Sequence, residues 1–110
     1  MNIVDAAKTI QLKDVRSMLR WNPYSSRRDK VVEAKIVGSV AKGTATENSD
    51  IDIAVIIPRL NKSSLSVTEL YHSKFQHNKE MPHHHGYRVD LQFFYEGDPV
   101  LDEYSVIDIN

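Results

Sequence analysis

GSVAKGTATENSDIDIAVI, residues Gly38 to Ile56, opens on a glycine-serine pair and closes on an apolar run with two aspartates at its mouth. Side chains alternate faces along a strand, so Asp50 and Asp52 point one way while Ile51, Ile53, Val55 and Ile57 point the other. One face is core and the other is a candidate site. Val31, Val32, Ala34, Ile36 and Val37 form a preceding strand that ends on Gly38-Ser39, and Pro58 closes the run after Ile57. A glycine at a strand end lets backbone approach a phosphate closely, and the Ser39 hydroxyl and following amides can donate to its oxygens if Val40 to Lys42 begin a helical turn. Gly43 then permits the chain to reverse. Alone, a Gly-Ser pair after a strand is more often a turn than a phosphate cradle. Here it is followed by D-x-D eleven residues beyond Ser39, and the combination is specific.

Working outward, Val4, Ala7, Ile10, Val15, Met18 and Leu19 recur at helical spacing and predict a helix from Ile3 to Leu19, broken near Leu12, with Asp5 and Asp14 favouring local starts. Trp21 to Lys30 reads as an exposed connection, its basic trio Arg27, Arg28 and Lys30 solvated and Trp21 a packing anchor. After a serine-rich linker, a second helix carries Val67, Leu70, Tyr71, Lys74 and Phe75, with Ser66 and Glu69 placed for a capping box. Tyr87 to Tyr95 predicts a third strand, in which Asp90 lies opposite the row Val89, Leu91 and Phe93. His83, His84 and His85 are expected in an exposed loop before it. Phe94 shares the Asp90 face and is the aromatic to test for base stacking. Beyond Gly97-Asp98-Pro99 the tail fits a short helix, a strand or an edge.

An arbitrary D-x-D is ordinarily a solvated strand start. Two carboxylates about 4 Å apart repel by about 4 kcal/mol at an effective dielectric near 20, a large share of a small domain's stability. Aspartate also has poor strand propensity, so Asp50, Asp52 and Asp90 together imply a cation that offsets their repulsion. Hard carboxylate oxygens in a chain without cysteine match magnesium or manganese rather than zinc.

Gly38-Ser39 joined to Ser49-Asp50-Ile51-Asp52 resembles the signature of the nucleotidyltransferase superfamily with the DNA polymerase β fold, in particular its minimal nucleotidyltransferase branch. The resemblance is close over Ile36 to Ile57 and reaches Asp90 through its place in the third strand. It implies an α+β palm fold, a small central mixed sheet flanked by helices. It implies catalytic and metal-binding roles for Asp50, Asp52 and Asp90, and nucleotide binding by Gly38, Ser39, Lys42, Gly43 and Ser49. The substrate implied is a nucleoside triphosphate, with ATP the expected donor, used with magnesium or manganese. Lys42 stands where relatives often carry arginine and Val40 where many have a basic residue, which redistributes the phosphate contacts.

The chain is 110 residues long, the size of one domain, so residues 1–110 are expected to form a single unit. Fourteen basic residues nearly balance fifteen acidic ones, which disfavours a grip on long nucleic acid. No apolar run approaches a membrane span and no signal pattern opens the chain, so a cytoplasmic protein is the expectation. The chain stops about twenty residues after Asp90, without the helical domain that larger relatives append to hold an acceptor. A separate partner protein is therefore expected to supply the acceptor, as a helical toxin does for antitoxins of the minimal branch. The alternatives are an idle nucleotide-binding module that acts by partner binding, and transfer to a small molecule.

Overall fold

The computed structural model describes residues 1–19, 33–58, 67–76 and 81–110. The readings of Trp21, of the basic trio and of the Ser66 cap lie outside the described residues. Five strands form one sheet in the order β3-β4-β2-β1-β5, with β1 Glu33–Val37, β2 Ile51–Ile57, β3 His83–His84, β4 Tyr87–Tyr95 and β5 Ile107–Asp108. β2 runs antiparallel to β1 and parallel to β4, so the sheet is mixed. A parallel neighbour requires a crossover, and α4 (Val67–Gln76) lies on the path between β2 and β4.

Registry puts Ile36, Ile53 and Leu91 side by side, then Ala34, Val55 and Phe93. These rows form the predicted core face, which packs with Val40, Leu70, the helices α1 (Ile3–Lys8) and α2 (Leu12–Met18) through Ile3, Ala7 and Val15, and the flanking Ile10 and Leu19. The break between α1 and α2 falls where the sequence pattern puts it. Asn2 Oδ1 accepts from the Asp5 amide at 2.8 Å, and Asp14 Oδ2 accepts from the Gln11 amide at 2.9 Å. Each acidic or amide side chain thus takes an amide that the helix start leaves without an intrahelical partner. Among the described residues no helix is long and apolar enough to cross a membrane.

On the opposite face β1 carries Glu33 and Lys35, β4 carries Asp90 and Gln92, and β2 is polar only at Asp52. Beyond Asp52, its residues Ala54 and Ile56 are buried. The 3-10 turn Pro99–Glu103 runs beside this face, with Leu101 and Ile56 lining a common cavity. Tyr104 sets its ring edge-to-face against Phe94 at 6.0 Å. The tail is thus first a turn and then an edge strand, β5, paired with β1 and joined to it by Lys35 Nζ and Asp108 Oδ1 at 3.2 Å.

The histidine run departs from the loop expectation. His83 and His84 pair with Arg88 and Tyr87, and His85 and Gly86 make a two-residue reversal with φ of 50° and 85°. Positive φ at both central residues matches the twist of the flanking strands, so a hairpin closes where composition alone suggests a loop. His84 Nε2 lies 2.7 Å from Thr9 Oγ1 at the α1–α2 break. Partial burial, aided by the adjacent His85 and opposed by Asp14, pulls the His84 pKa below its ordinary 6.5. A base whose folded pKa is lowered contributes stability that is full above its unfolded pKa and is lost as pH falls through the folded value. NMR titration of the imidazole is expected to give a midpoint below 6.5, and His84→Gln should flatten the stability profile on the acid side of neutrality. A midpoint at or above 6.5 would contradict this placement.

Candidate active site

The acidic end of the sheet is built from one cross-strand row. Val37, the last residue of β1, is opposite Asp52, and Asp52 is opposite Asp90 on the parallel neighbour β4. Strands lie about 4.8 Å apart, so the two carboxylates project from adjacent positions on the face away from the core. Both are half-buried. The sequence expectation that Asp90 joins Asp52 requires β2 and β4 to be neighbours, and they are.

Directly after Val37 the chain turns into α3 (Gly38–Lys42). Gly38 holds φ +67°, and a Cβ built there would overlap Asp52 Oδ2 and come within 2.9 Å of its carboxyl carbon. Glycine is therefore required twice, for the left-handed backbone and for the close approach of the Asp52 carboxylate. Val40 is buried and anchors the turn in the core. Gly43, at φ +80°, ends it, and the Thr44 amide donates to the Ser39 carbonyl at 2.9 Å. Gly38 and the exposed Lys42 line a cavity of about 160 Å³ together with Val37, Gln92 and Tyr104.

The loop entering β2 is tied down by its own polar residues. Ser49 Oγ accepts from the Thr46 amide at 3.0 Å, and the Ser49 amide donates to the Thr46 carbonyl at 3.0 Å. Ser49 thus shapes the approach to Asp50 with its hydroxyl oxygen. Glu47 accepts from the Tyr87 hydroxyl, fastening the loop to β4, and this hydrogen bond raises the Tyr87 pKa above its ordinary value.

Asp50 precedes β2 and is engaged by Arg88, whose Nε donates to Asp50 Oδ1 at 3.0 Å. Among the described residues no three histidine, cysteine, aspartate or glutamate side chains are gathered as a metal site. Asp52 and Asp90 share a row, while Asp50 stands two residues earlier and faces a guanidinium. Sequence reasoning missed Arg88, Gln92 and Tyr104. Arg88 was within reach of the alternation argument, because it precedes Asp90 by two residues just as Asp50 precedes Asp52.

The sequence model of the family described as nucleotidyltransferase domain matches residues 22–108. No curated protein has a matching sequence. A crystal structure of a candidate nucleotidyltransferase from Sulfolobus solfataricus superposes with a TM-score of 0.54 at 19% identity, over 96% of this chain and 84% of that one. That likeness shows the fold, a mixed sheet with helices, in agreement with the sequence reading.

Proposed function

The chain belongs to the nucleotidyltransferase domain family, and from that premise we propose that it moves a nucleoside monophosphate from a nucleoside triphosphate to a hydroxyl with a divalent metal ion. The observation that carries the site assignment is the row Asp52–Asp90 beside Gly38. Two half-buried carboxylates on adjacent strands are a hard-oxygen donor set suited to magnesium or manganese, and they gain from a cation that offsets their repulsion. Asp52 and Asp90 would hold the ion and Asp50 would join them. When bound, it would supply charge neutralisation at the phosphate oxygens and at the attacking oxygen.

The protein's own groups do the rest. Gly38 presents backbone without a side chain to the triphosphate, the Ser39 hydroxyl donates to a phosphate oxygen, and Lys42 adds a positive charge at the rim. Asp90 takes the proton from the acceptor hydroxyl as its oxygen bonds to the α-phosphorus and pyrophosphate leaves. We assign ATP as donor and a partner-protein hydroxyl as acceptor, on the resemblance to antitoxin-type minimal nucleotidyltransferases. The net charge of −1, which offers no field for long nucleic acid, agrees with that choice.

The test is incubation with each α-labelled triphosphate and manganese, with and without a lysate of the source cells. ATP-dependent label on a protein is the expected result, and failure of every triphosphate to bind or transfer would refute the assignment. A second reading, an idle module that acts by binding a partner, draws on the pairing of Asp50 with Arg88. It predicts suppression of the partner by wild type and by Asp52→Asn alike, without label.

A further inference from the structure

Two successive rows at the acidic end of the sheet carry opposite electrostatics. Asp52 faces Asp90, like against like. Two residues earlier on each segment, Asp50 meets Arg88, with Nε donating to Oδ1 at 3.0 Å. Alternation puts Arg88 on the same face as Asp90, and one step of the strand period, about 6.6 Å, separates them. The guanidinium therefore pairs with one of the three carboxylates, that of Asp50.

The two aspartates of the D-x-D run differ in how firmly they are held. Asp52 belongs to β2, and its carboxylate lies against the Cα of Gly38. Asp50 precedes the strand, and its side chain is 31% exposed, against 58% for Arg88. Solvent reaches both members of the outer pair, so a cation can displace the guanidinium without unfolding anything around it. An exposed ion pair adds little to folding stability. Its physical consequence here is competition, because the Asp50 Oδ1 lone pair that accepts from Arg88 Nε is not available to a metal in the same geometry.

We infer that Arg88 is a positioning residue that holds Asp50 off the metal, so that divalent-ion affinity is set by exchange of Asp50 between the Arg88 guanidinium and the ion. This rests on the metal assignment made for Asp50, Asp52 and Asp90. Asp52 and Asp90 would hold the ion first, and Asp50 would join them only as its bond to Arg88 breaks. Arg88 offsets one of the three negative charges of the apo site and lowers metal affinity in return.

The experiment is manganese binding to the whole chain, followed by the electron paramagnetic resonance signal of the free ion, in wild type, Arg88→Gln, Asp50→Asn and the double variant. Arg88→Gln is expected to bind manganese about three- to fivefold more tightly, the factor corresponding to the loss of one exposed ion pair. Its circular dichroism and melting temperature should be nearly unchanged, because Arg88 is a surface residue. In the Asp50→Asn background the same substitution should have no effect, since the exchange partner is gone. An unchanged or weaker affinity in Arg88→Gln overturns the inference, and so does a gain that persists in the Asp50→Asn background, which would mean that Arg88 acts through its field alone. Failure of wild type and Arg88→Gln alike to bind manganese would instead remove the metal assignment itself, and the inference with it.

Discussion

Replacement of Asp52 by asparagine is expected to lower nucleotidyl transfer by about a thousandfold while leaving the fold in place. Asp52 is the centre of its row, between Val37 on β1 and Asp90 on β4, and its side chain lies against Gly38. Asparagine keeps the volume and one oxygen but removes the charge, and the loss of a charged ligand at a metal site that stabilises a phosphoryl transition state amounts to roughly 4 kcal/mol. The hydrophobic core is built without that charge. The core face of β2 is the separate row Ile51, Ile53, Val55 and Ile57, and removal of one carboxylate opposite Asp90 relieves repulsion. Single-turnover transfer from labelled ATP, alongside a thermal melt, separates the two effects. Retention of wild-type transfer would refute the role of Asp52, and collapse of the melt would show it to be structural.

Gly38→Ala should damage both stability and activity. At φ +67° an L-residue costs about 1 to 2 kcal/mol relative to glycine. The added methyl group must also displace the Asp52 carboxylate, whose Oδ2 it overlaps. We expect urea denaturation to show a loss of about 2 kcal/mol or more and transfer to fall by at least about tenfold, because a displacement near 1 Å at a reacting centre is costly. The pair can be resolved by a double-mutant cycle. In an Asp52→Ala background the colliding carboxylate is gone, although the Cβ of residue 52 still lies 3.1 Å from where the new methyl group would sit, so Gly38→Ala should cost less there than in wild type. Equal costs in the two backgrounds would show that the backbone conformation alone requires glycine at this position.

These two residues also mark how far the sequence can be read. Gly38 is legible as a special backbone position at a strand end, with a phosphate as the reason. The close packing of Asp52 is a second reason, and it depends on which strand lies beside β1. The two faces of β2 are legible from Ile51 to Ile57, yet the second face is apolar beyond Asp52, because Leu101 and the turn Pro99–Glu103 lie beside Ile56. Phe94, the stacking candidate, has Tyr104 as its ring partner. His83 and His84 read as loop because a two-residue strand has no periodicity to detect. Their pairing is supplied by Arg88 and Tyr87 across the His85–Gly86 turn.

Local information is enough for the helix break near Leu12, the span Tyr87–Tyr95, and the facing of Asp52 and Asp90 away from the core, because strand and helix periods are written in neighbouring residues. The tertiary structure alone decides that Asp52 meets Asp90, that Asp50 meets Arg88 and that Gly38 closes on Asp52. Each of these contacts depends on strand order and register, which are fixed by burial of the whole apolar face at once and not by any single segment of the chain.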